Sequence, residues 1–147
     1  KASFLSPRAT MEQYALFLRY QRGRHSGGEM SAMSLADYRA MVEESPVDTL
    51  LAEFRDATGT LLACALVDRL DDGLSAVYSF FAPEETRRSL GTYIILWLLQ
   101  AARIEKRAHV YLGYWVGASD KMAYKTRFAP AEALGLRGWE PLKRGTP

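Results

Sequence analysis

A long apolar segment between Arg88 and Ile104 constrains the fold more than any other feature of the sequence. Its hydrophobic residues recur with a period near 3.6 and cover most of the helix circumference, so they predict a largely buried helix. Such a helix cannot bury its own apolar surface and has to pack on a sheet. The apolar positions on its main face are Leu90, Tyr93, Ile94, Trp97, Leu98 and Ala101.

Four strands are predicted around this helix: Val47 to Asp56, Thr60 to Arg69, Leu74 to Phe81 and Ala108 to Trp115. The first three are separated by the turns Thr58-Gly59 and Asp71-Asp72-Gly73, which favour antiparallel hairpins. A strand, a buried helix and a further strand in this order predict a right-handed crossover with parallel pairing.

Three further helices are predicted. The capping-box pattern Thr10-Met11-Glu12-Gln13 begins one that runs to about Arg22, Ser34 caps one from Leu35 to Glu43, and Ser119 caps a short one that runs to about Arg127. The remainder of the chain is expected to be irregular. The element order predicts an α+β fold with a mixed, mainly antiparallel sheet flanked by helices. Three meander strands that lead into one crossover form the core of the acyl-CoA N-acyltransferase-like (GNAT-like) architecture.

The net charge of +2 conceals an uneven distribution along the chain. Residues 1–30 carry a net +3, residues 31–86 a net −8 and residues 87–147 a net +7. A uniformly basic coat is excluded, but two basic segments on one face can still bind a polyanion. We therefore expect a basic face and an acidic face.

The single cysteine, Cys64, lies in the apolar run from Leu61 to Leu66 and is expected to be a buried, inert thiol. We therefore expect a cytoplasmic protein.

The longest apolar run, Tyr93 to Leu99, is too short to span a bilayer, and no membrane partner is predicted. Two histidines and one cysteine at no ligand spacing predict no metal site.

The first segment that can carry chemistry is the start of the long helix, with Arg87, Arg88 and Gly91. Helix N-termini bind anions readily, and two arginines add charge-assisted hydrogen bonds. Arg88-x-x-Gly91 also matches part of the acetyltransferase pyrophosphate signature, although Tyr93 stands where that signature has a small residue. The alternative is a solvated arginine pair.

The second segment lies where the first helix enters a glycine-rich loop and contains Arg19, Arg22, Arg24 and His25. Its density of cations favours a phosphate or carboxylate site. A helix C-terminus also favours cations for purely structural reasons, and the sequence does not decide between the two interpretations. His25 is a candidate general base, with a structural hydrogen bond as the alternative.

The third segment interleaves aromatic and basic residues: Tyr111, Tyr114, Trp115, Lys121, Tyr124 and Lys125. Single-stranded nucleic acid is bound by such mixtures, because rings stack on bases and cations contact phosphates. On a strand, half of the aromatic residues face the core, so packing is the alternative for those.

Five motifs resemble one protein family when they are taken together and in this order. They are Arg-Tyr-x-Arg-x-Arg-His-x-Gly-Gly-x-Met (Arg19 to Met30), Tyr-Ser-Phe-Phe (Tyr78 to Phe81), Arg-Arg-Ser-Leu-Gly-Thr-Tyr (Arg87 to Tyr93), Tyr-Leu-Gly-Tyr-Trp (Tyr111 to Trp115) and Lys-Met-x-Tyr-Lys-x-x-Phe-x-Pro (Lys121 to Pro130). The resemblance is to the C-terminal domain of the arginyl-tRNA–protein transferase family, especially its bacterial branch of aspartate/glutamate leucyltransferases. It covers roughly Ser6 to Leu142.

The resemblance implies an aminoacyltransferase of the N-degron pathway. Its partners would be aminoacyl-tRNA (leucyl- or arginyl-tRNA) and proteins with N-terminal Asp or Glu, and no cofactor is implied. Leucine or arginine would be moved to that N-terminus and would mark the protein for degradation. Family members also carry an N-terminal domain with a cysteine cluster, so we expect residues 1–147 to be the C-terminal catalytic domain of a longer protein.

For this reaction the arginine-rich segments are expected around the acceptor carboxylate or the terminal phosphates of the tRNA: Arg19, Arg22, Arg24, His25, Arg87, Arg88 and Gly91. The third segment would meet the single-stranded end of the tRNA. Proton transfer is assigned without ranking to Tyr78, Ser79 or Glu85, with the tRNA's own hydroxyl as a further candidate.

Two other functions stay open on the sequence. An acyl-CoA-dependent N-acetyltransferase is favoured by the element order and by Arg88-x-x-Gly91, and is opposed by Tyr93. A non-catalytic tRNA- or degron-binding module is the second alternative.

Overall fold

A five-stranded sheet with helices on both faces organises residues 1–111. The computed structural model describes residues 1–24, 33–116 and 122–142. Within these ranges the sheet has the order β1 (Ala2–Leu5), β2 (Thr49–Arg55), β3 (Leu61–Arg69), β4 (Gly73–Phe81) and β5 (His109–Tyr111). The pairs β1–β2, β2–β3 and β3–β4 are antiparallel, and β4–β5 is parallel. The predicted mixed, mainly antiparallel sheet is confirmed.

Three α-helices in the described part of the chain flank the sheet: α1 (Met11–Arg24), α2 (Leu35–Glu43) and α3 (Leu90–Ile104). The predicted capping box of α1 is present, because Gln13 N donates to Thr10 Oγ1 at 3.2 Å and Thr10 N donates to Gln13 Oε1 at 2.9 Å. Ser34 and Asp37 make the equivalent reciprocal pair at the start of α2.

Helices α1 and α2 cover one face of the sheet, and α3 covers the other. The first core contains Phe17, Tyr38, Cys64 and Phe80 among its buried residues. The second core joins α3 to the opposite face, and its buried residues are Ala52, Phe54, Ala63, Ala65, Val67, Leu74, Ile94, Leu98 and Ala102. Strand β3 contributes to both cores because its side chains alternate between the faces.

One extra residue in β4 changes the direction of its side chains. Leu66 pairs with Tyr78 and Val67 pairs with Ala76, so Val77 is a bulge. Before the bulge Leu74 and Ala76 pack toward α3, whereas after it Tyr78 and Phe80 pack toward α1 and α2. The bulge therefore exposes the second half of β4 to the α1 side.

Several predicted boundaries were wrong. The long helix begins at Leu90 instead of Arg88, because Ser89 adopts the left-handed conformation (φ 47°) and separates a short 3₁₀ turn, Thr86–Arg88, from α3. Pairing of β5 with β4 covers Gly73–Ser75, and β5 ends at Tyr111, well before Trp115. Strand β1 was not predicted, since its four residues have no recognisable alternation.

The second compact unit, Leu112–Pro147, contains a 3₁₀ helix and a hairpin. The helix spans Ala123–Arg127, within the predicted range of the short helix; Ser119, its predicted cap, lies outside the described residues. The hairpin pairs β6 (Glu132–Gly135) with β7 (Gly138–Pro141), where irregular structure was expected. Leu136 and Arg137 form the turn between the two strands, and Gly138, at the start of β7, lies in the left-handed region (φ 105°).

Ion pairs in the described ranges join the three charge segments: Arg19–Glu84 at 3.2 Å, Arg55–Glu12 at 2.7 Å, Arg69–Glu105 at 3.8 Å and Arg88–Glu85 at 3.2 Å. In the pairs of Arg19 and Arg88 a carboxylate of the acidic segment neutralises an arginine of a basic segment, whereas in the pairs of Arg55 and Arg69 the arginine belongs to the acidic segment and the glutamate to a basic one. The expected separation into an acidic and a basic face is therefore not maintained there.

No helix in the described ranges is long and apolar enough to cross a membrane.

The thiol of Cys64 is completely buried, as predicted, and its burial raises its pKa well above the usual range. Only the unfolded chain then ionises this thiol above about pH 8.5, so the free energy of unfolding should fall by about 1.4 kcal/mol per pH unit from this group. In Cys64→Ala that decrease should be missing between about pH 9 and pH 10. Urea unfolding at a series of pH values tests this, and equal slopes in both proteins would contradict it.

Candidate active site

The C-terminal half of α1 meets the end of β4 and the loop that follows it. Gln21 Nε2 donates to the Tyr78 hydroxyl at 2.7 Å. Arg19 forms an ion pair with Glu84 at 3.2 Å. These contacts bring the Arg19–Arg24 segment, β4 and the loop after β4 together.

The ring of Phe81 connects this cluster to the start of α3. Its centroid lies 4.9 Å from that of Tyr20, in an edge-to-face arrangement. A Cβ atom at Gly91 would lie 3.3 Å from Phe81 Cε1, so the glycine lets the ring approach the helix closely. Three of the five sequence motifs therefore converge on one region of the first unit: Arg19–Arg24, Tyr78–Phe81 and Arg87–Gly91.

The cations of this region differ in their availability. Arg19 and Arg88 are engaged by Glu84 and Glu85, each at 3.2 Å. Arg22 and Arg87 are exposed and have no ion-pair partner in the described part of the chain. His25 lies outside the described residues, as does the side chain of Arg24.

Among the three candidates for proton transfer, Tyr78 lies beside the arginine-rich end of α1. Burial raises the pKa of its half-buried phenol, the neighbouring Tyr20 raises it further, and the hydrogen bond from Gln21 opposes this rise. The phenol is therefore neutral near pH 7 and can donate a hydrogen bond to an oxygen that gains negative charge.

The other two candidates have different surroundings. Ser79 pairs with Ala65 and lies between Tyr78 and Phe80, so its side chain is on the α3 side of the sheet. Glu85 lies in the loop after β4 and pairs with Arg88. The structure therefore separates Tyr78 from Ser79 by the thickness of the sheet.

The residues expected to meet the tRNA end lie at Tyr111 and in the second unit. The Tyr111 hydroxyl donates to Asp72 Oδ2 at 2.7 Å, and this hydrogen bond raises its pKa. Tyr114 is 92% exposed, which leaves its ring available for stacking. Trp115 is half-buried, Tyr124 is exposed in the 3₁₀ helix, and Lys121 lies outside the described residues.

Lys125 holds its own unit together. Its ammonium donates to the backbone carbonyls of Leu112, at 2.7 Å, and Tyr114. Burial lowers its pKa, because the charged form is less well solvated there. The aromatic segment 112–114 and the 3₁₀ helix are thereby connected by one side chain.

The most informative residue that the sequence did not single out is Gln21. It lies four residues after Phe17 and eight after Gln13, on the buried face of α1. The sequence does show a polar residue at the spacing of the apolar face of α1, and this could have identified Gln21 as buried. The sequence analysis assigned function to the neighbouring arginines instead.

Residues 12–135 match the family described as Arginine-tRNA-protein transferase, C terminus. The chain belongs to this family. The motifs on α1, β4 and the start of α3 all lie within the residues that match this family.

Two relatives in this transferase family are named aspartate/glutamate leucyltransferase. The one from Paramagnetospirillum magneticum is 54% identical over 144 residues, which is 98% of this chain and 59% of the relative. The one from Rhodospirillum rubrum is 51% identical over 150 residues, which is 99% of this chain and 60% of the relative. The chain thus spans about three fifths of the length of the curated relatives it matches.

Solved structures show the fold. The ribosomal-protein-S18-alanine N-acetyltransferase of Escherichia coli superposes with a TM-score of 0.62 at 16% identity, covering 96% of this chain and 89% of that one. A Klebsiella pneumoniae protein assigned to the acyl-CoA N-acyltransferases gives 0.58 at 14% identity, covering 99% and 90%. The predicted GNAT-like architecture is confirmed, and likeness at this identity concerns the fold alone.

Replacement of Lys125 with Met should loosen the 112–114 segment, because two carbonyls lose a charged donor. Hydrogen bonds to charged groups are worth about 1.5–3 kcal/mol, so amide exchange in residues 112–116 should accelerate about tenfold or more. Hydrogen exchange followed by mass spectrometry measures this. Arg127→Met, in the same 3₁₀ helix, is the matched control, and equal exchange in the two variants would contradict the structural role.

Proposed function

We propose that this chain carries the catalytic domain of an aminoacyl-tRNA–protein transferase. Leucine, or arginine, would be moved from charged tRNA to the N-terminal Asp or Glu of an acceptor protein, which is thereby marked for degradation. Support comes from membership of the transferase family and from relatives named aspartate/glutamate leucyltransferase. The reaction would take place in the cytoplasm, where charged tRNA is used.

The main task of the protein in this reaction is to position the two substrates. The donor is an ester and is already activated, and the nucleophile is an α-amine with a pKa of about 8. The site has to hold amine and ester in attack geometry and to stabilise the oxygen that gains charge. No group of the protein needs to form a covalent intermediate.

The single observation that supports this site is that α1, the end of β4 and the start of α3 contact one another: α1 carries Arg22, β4 carries Tyr78, and Arg87 lies just before α3. Two exposed arginines without described partners suit the carboxylate of an N-terminal Asp or Glu, or a terminal phosphate of tRNA. Arg19 and Arg88 can exchange their exposed glutamate partners for the same ligand, since exposed ion pairs are weak. The neutral Tyr78 phenol supplies a donor for the ester carbonyl.

Transfer of labelled amino acid tests the proposal directly. The chain is incubated with leucyl-tRNA or arginyl-tRNA and with peptides that begin with Asp, Glu or Ala. We expect label on the Asp and Glu peptides only, and the side-by-side donors decide between leucine and arginine.

The full-length Paramagnetospirillum magneticum relative is the positive control for this assay. If that relative transfers leucine while this chain neither transfers it nor binds charged tRNA, the proposal is wrong. Transfer of an acetyl group from acetyl-CoA to the same peptides would instead support the acetyltransferase alternative. Binding of charged tRNA without transfer would identify a binding module.

Replacement of Arg88 with Ala should reduce transfer to an Asp-starting peptide by about ten- to a hundredfold, the effect of losing a hydrogen bond worth about 1.5–3 kcal/mol to a charged group. Arg137→Ala is the matched control, because Arg137 forms a similar exposed pair with Glu140 at 3.1 Å and the same i,i+3 spacing. Both variants should unfold at nearly the wild-type temperature, since exposed pairs contribute about 0–1 kcal/mol. Full activity in Arg88→Ala would remove Arg88 from the acceptor site.

A further inference from the structure

We propose that Gln21 is a positioning residue that holds the Tyr78 hydroxyl as a hydrogen-bond donor toward the ester carbonyl of the charged tRNA. The inference rests on the proposed function for its substrate, and on the contacts of these two side chains for its geometry. It adds a residue to the site that the arginine-rich motif does not suggest.

The first observation is the direction of the hydrogen bond between the two side chains. Gln21 Nε2 donates to the Tyr78 oxygen at 2.7 Å, so the phenol acts as the acceptor in this contact. The hydroxyl proton of Tyr78 has no acceptor among the described residues. Among the described residues nothing competes for this proton, which leaves it available to solvent or to a ligand.

The second observation is the burial of Gln21. Only 1% of the residue is exposed, and its Oε1 atom has no hydrogen-bond partner within residues 1–24, 33–116 and 122–142. A buried acceptor without a partner is unfavourable, and an apolar side chain of similar size would avoid the penalty. A glutamine that keeps an unpaired oxygen in order to present its N–H₂ group points to a role for that donor.

The third observation is the position of Tyr78 directly after the bulge at Val77. The bulge turns Tyr78 toward α1, where the ring of Phe17 lies beside its ring at a centroid distance of 6.3 Å and Gln21 donates to its hydroxyl. Bulges commonly redirect a side chain near an active site. With its oxygen occupied by Gln21, the phenol can serve a ligand as a donor.

In the reaction, the acceptor amine attacks the carbonyl carbon of the aminoacyl ester and forms the new C–N bond. The carbonyl oxygen gains negative charge and accepts the Tyr78 hydrogen bond. The C–O bond to the ribose then breaks, and the proton lost by the amine ends on the ribose oxygen. Tyr78 is neither consumed nor deprotonated, and Gln21 fixes the direction of its O–H bond.

Gln21→Glu tests the proposal because it keeps the size of the side chain but replaces the donor with an acceptor. The Tyr78 proton would turn to the new carboxylate and leave the ester. We expect kcat to fall about a hundredfold, as after loss of one oxyanion donor, with little change in KM for the peptide. Tyr78→Phe should lower kcat by the same factor. The double variant should have a kcat no lower than that of either single variant, because both changes remove the same hydrogen bond to the ester.

Gln21→Leu and Gln13→Leu form a matched pair in case the carboxylate prevents folding. Both glutamines are buried on α1 and donate to a side chain, Gln13 to Glu53 at 2.8 Å. Both variants should unfold at lower temperature, but only Gln21→Leu should lower kcat of the folded protein. Equal kcat in the two variants, or wild-type kcat in Gln21→Glu, would overturn the proposal.

A spectroscopic measurement separates failure of this inference from failure of the proposed function. Labelling of tyrosine with ¹³C at Cζ reports the titration of Tyr78, which should move to higher pH in Gln21→Leu because a donor to the phenolate is lost. If the wild-type chain transfers no amino acid, the function fails whatever this titration shows. An unchanged titration refutes the Gln21–Tyr78 contact even when the wild type is active.

Discussion

The bulge at Val77 is the constraint on which the rest of the site depends. In a regular strand Leu74, Ala76, Tyr78 and Phe80 would share one face, because side chains alternate with a period of two. The extra residue divides them, so that the first half of β4 packs on α3 and the second half on α1 and α2. Strand β4 thereby contributes to both cores, and the Tyr78 side chain lies against the C-terminal half of α1.

Polar contacts then fix α1 at both of its ends. Near its start, Gln13 donates to Glu53, and Arg55 pairs with Glu12 at 2.7 Å. Near its end, Gln21 donates to Tyr78. A buried hydrogen bond requires one geometry of its two side chains, so the Gln21–Tyr78 contact positions the end of α1 that carries Arg19 and Arg22.

The chain shares its fold with N-acetyltransferases but departs from them at the start of α3. A small residue in the pyrophosphate signature is replaced by Tyr93, whose ring packs edge-on against Phe54 with centroids 5.8 Å apart. Gly91 is explained by the close approach of Phe81 instead of a phosphate. The shared fold is therefore accompanied by a different surface at the position where that signature occurs.

The sequence by itself determined the order of the elements from α1 to the second 3₁₀ helix, the caps of α1 and α2 and the buried state of Cys64, because capping boxes, turns and hydrophobic periods are local patterns. It also identified the family through five motifs. Strand β1 and the β6–β7 hairpin escaped prediction, since strands of four residues hold too few positions to show a period.

Only the tertiary structure decided how the motifs combine. The bulge at Val77 and the cross-segment pairs of Arg19 and Arg55 result from contacts between residues that are distant in the chain. Gln21 is the clearest case. Its role follows from one hydrogen bond across 57 positions, and a local pattern cannot specify a partner at that separation.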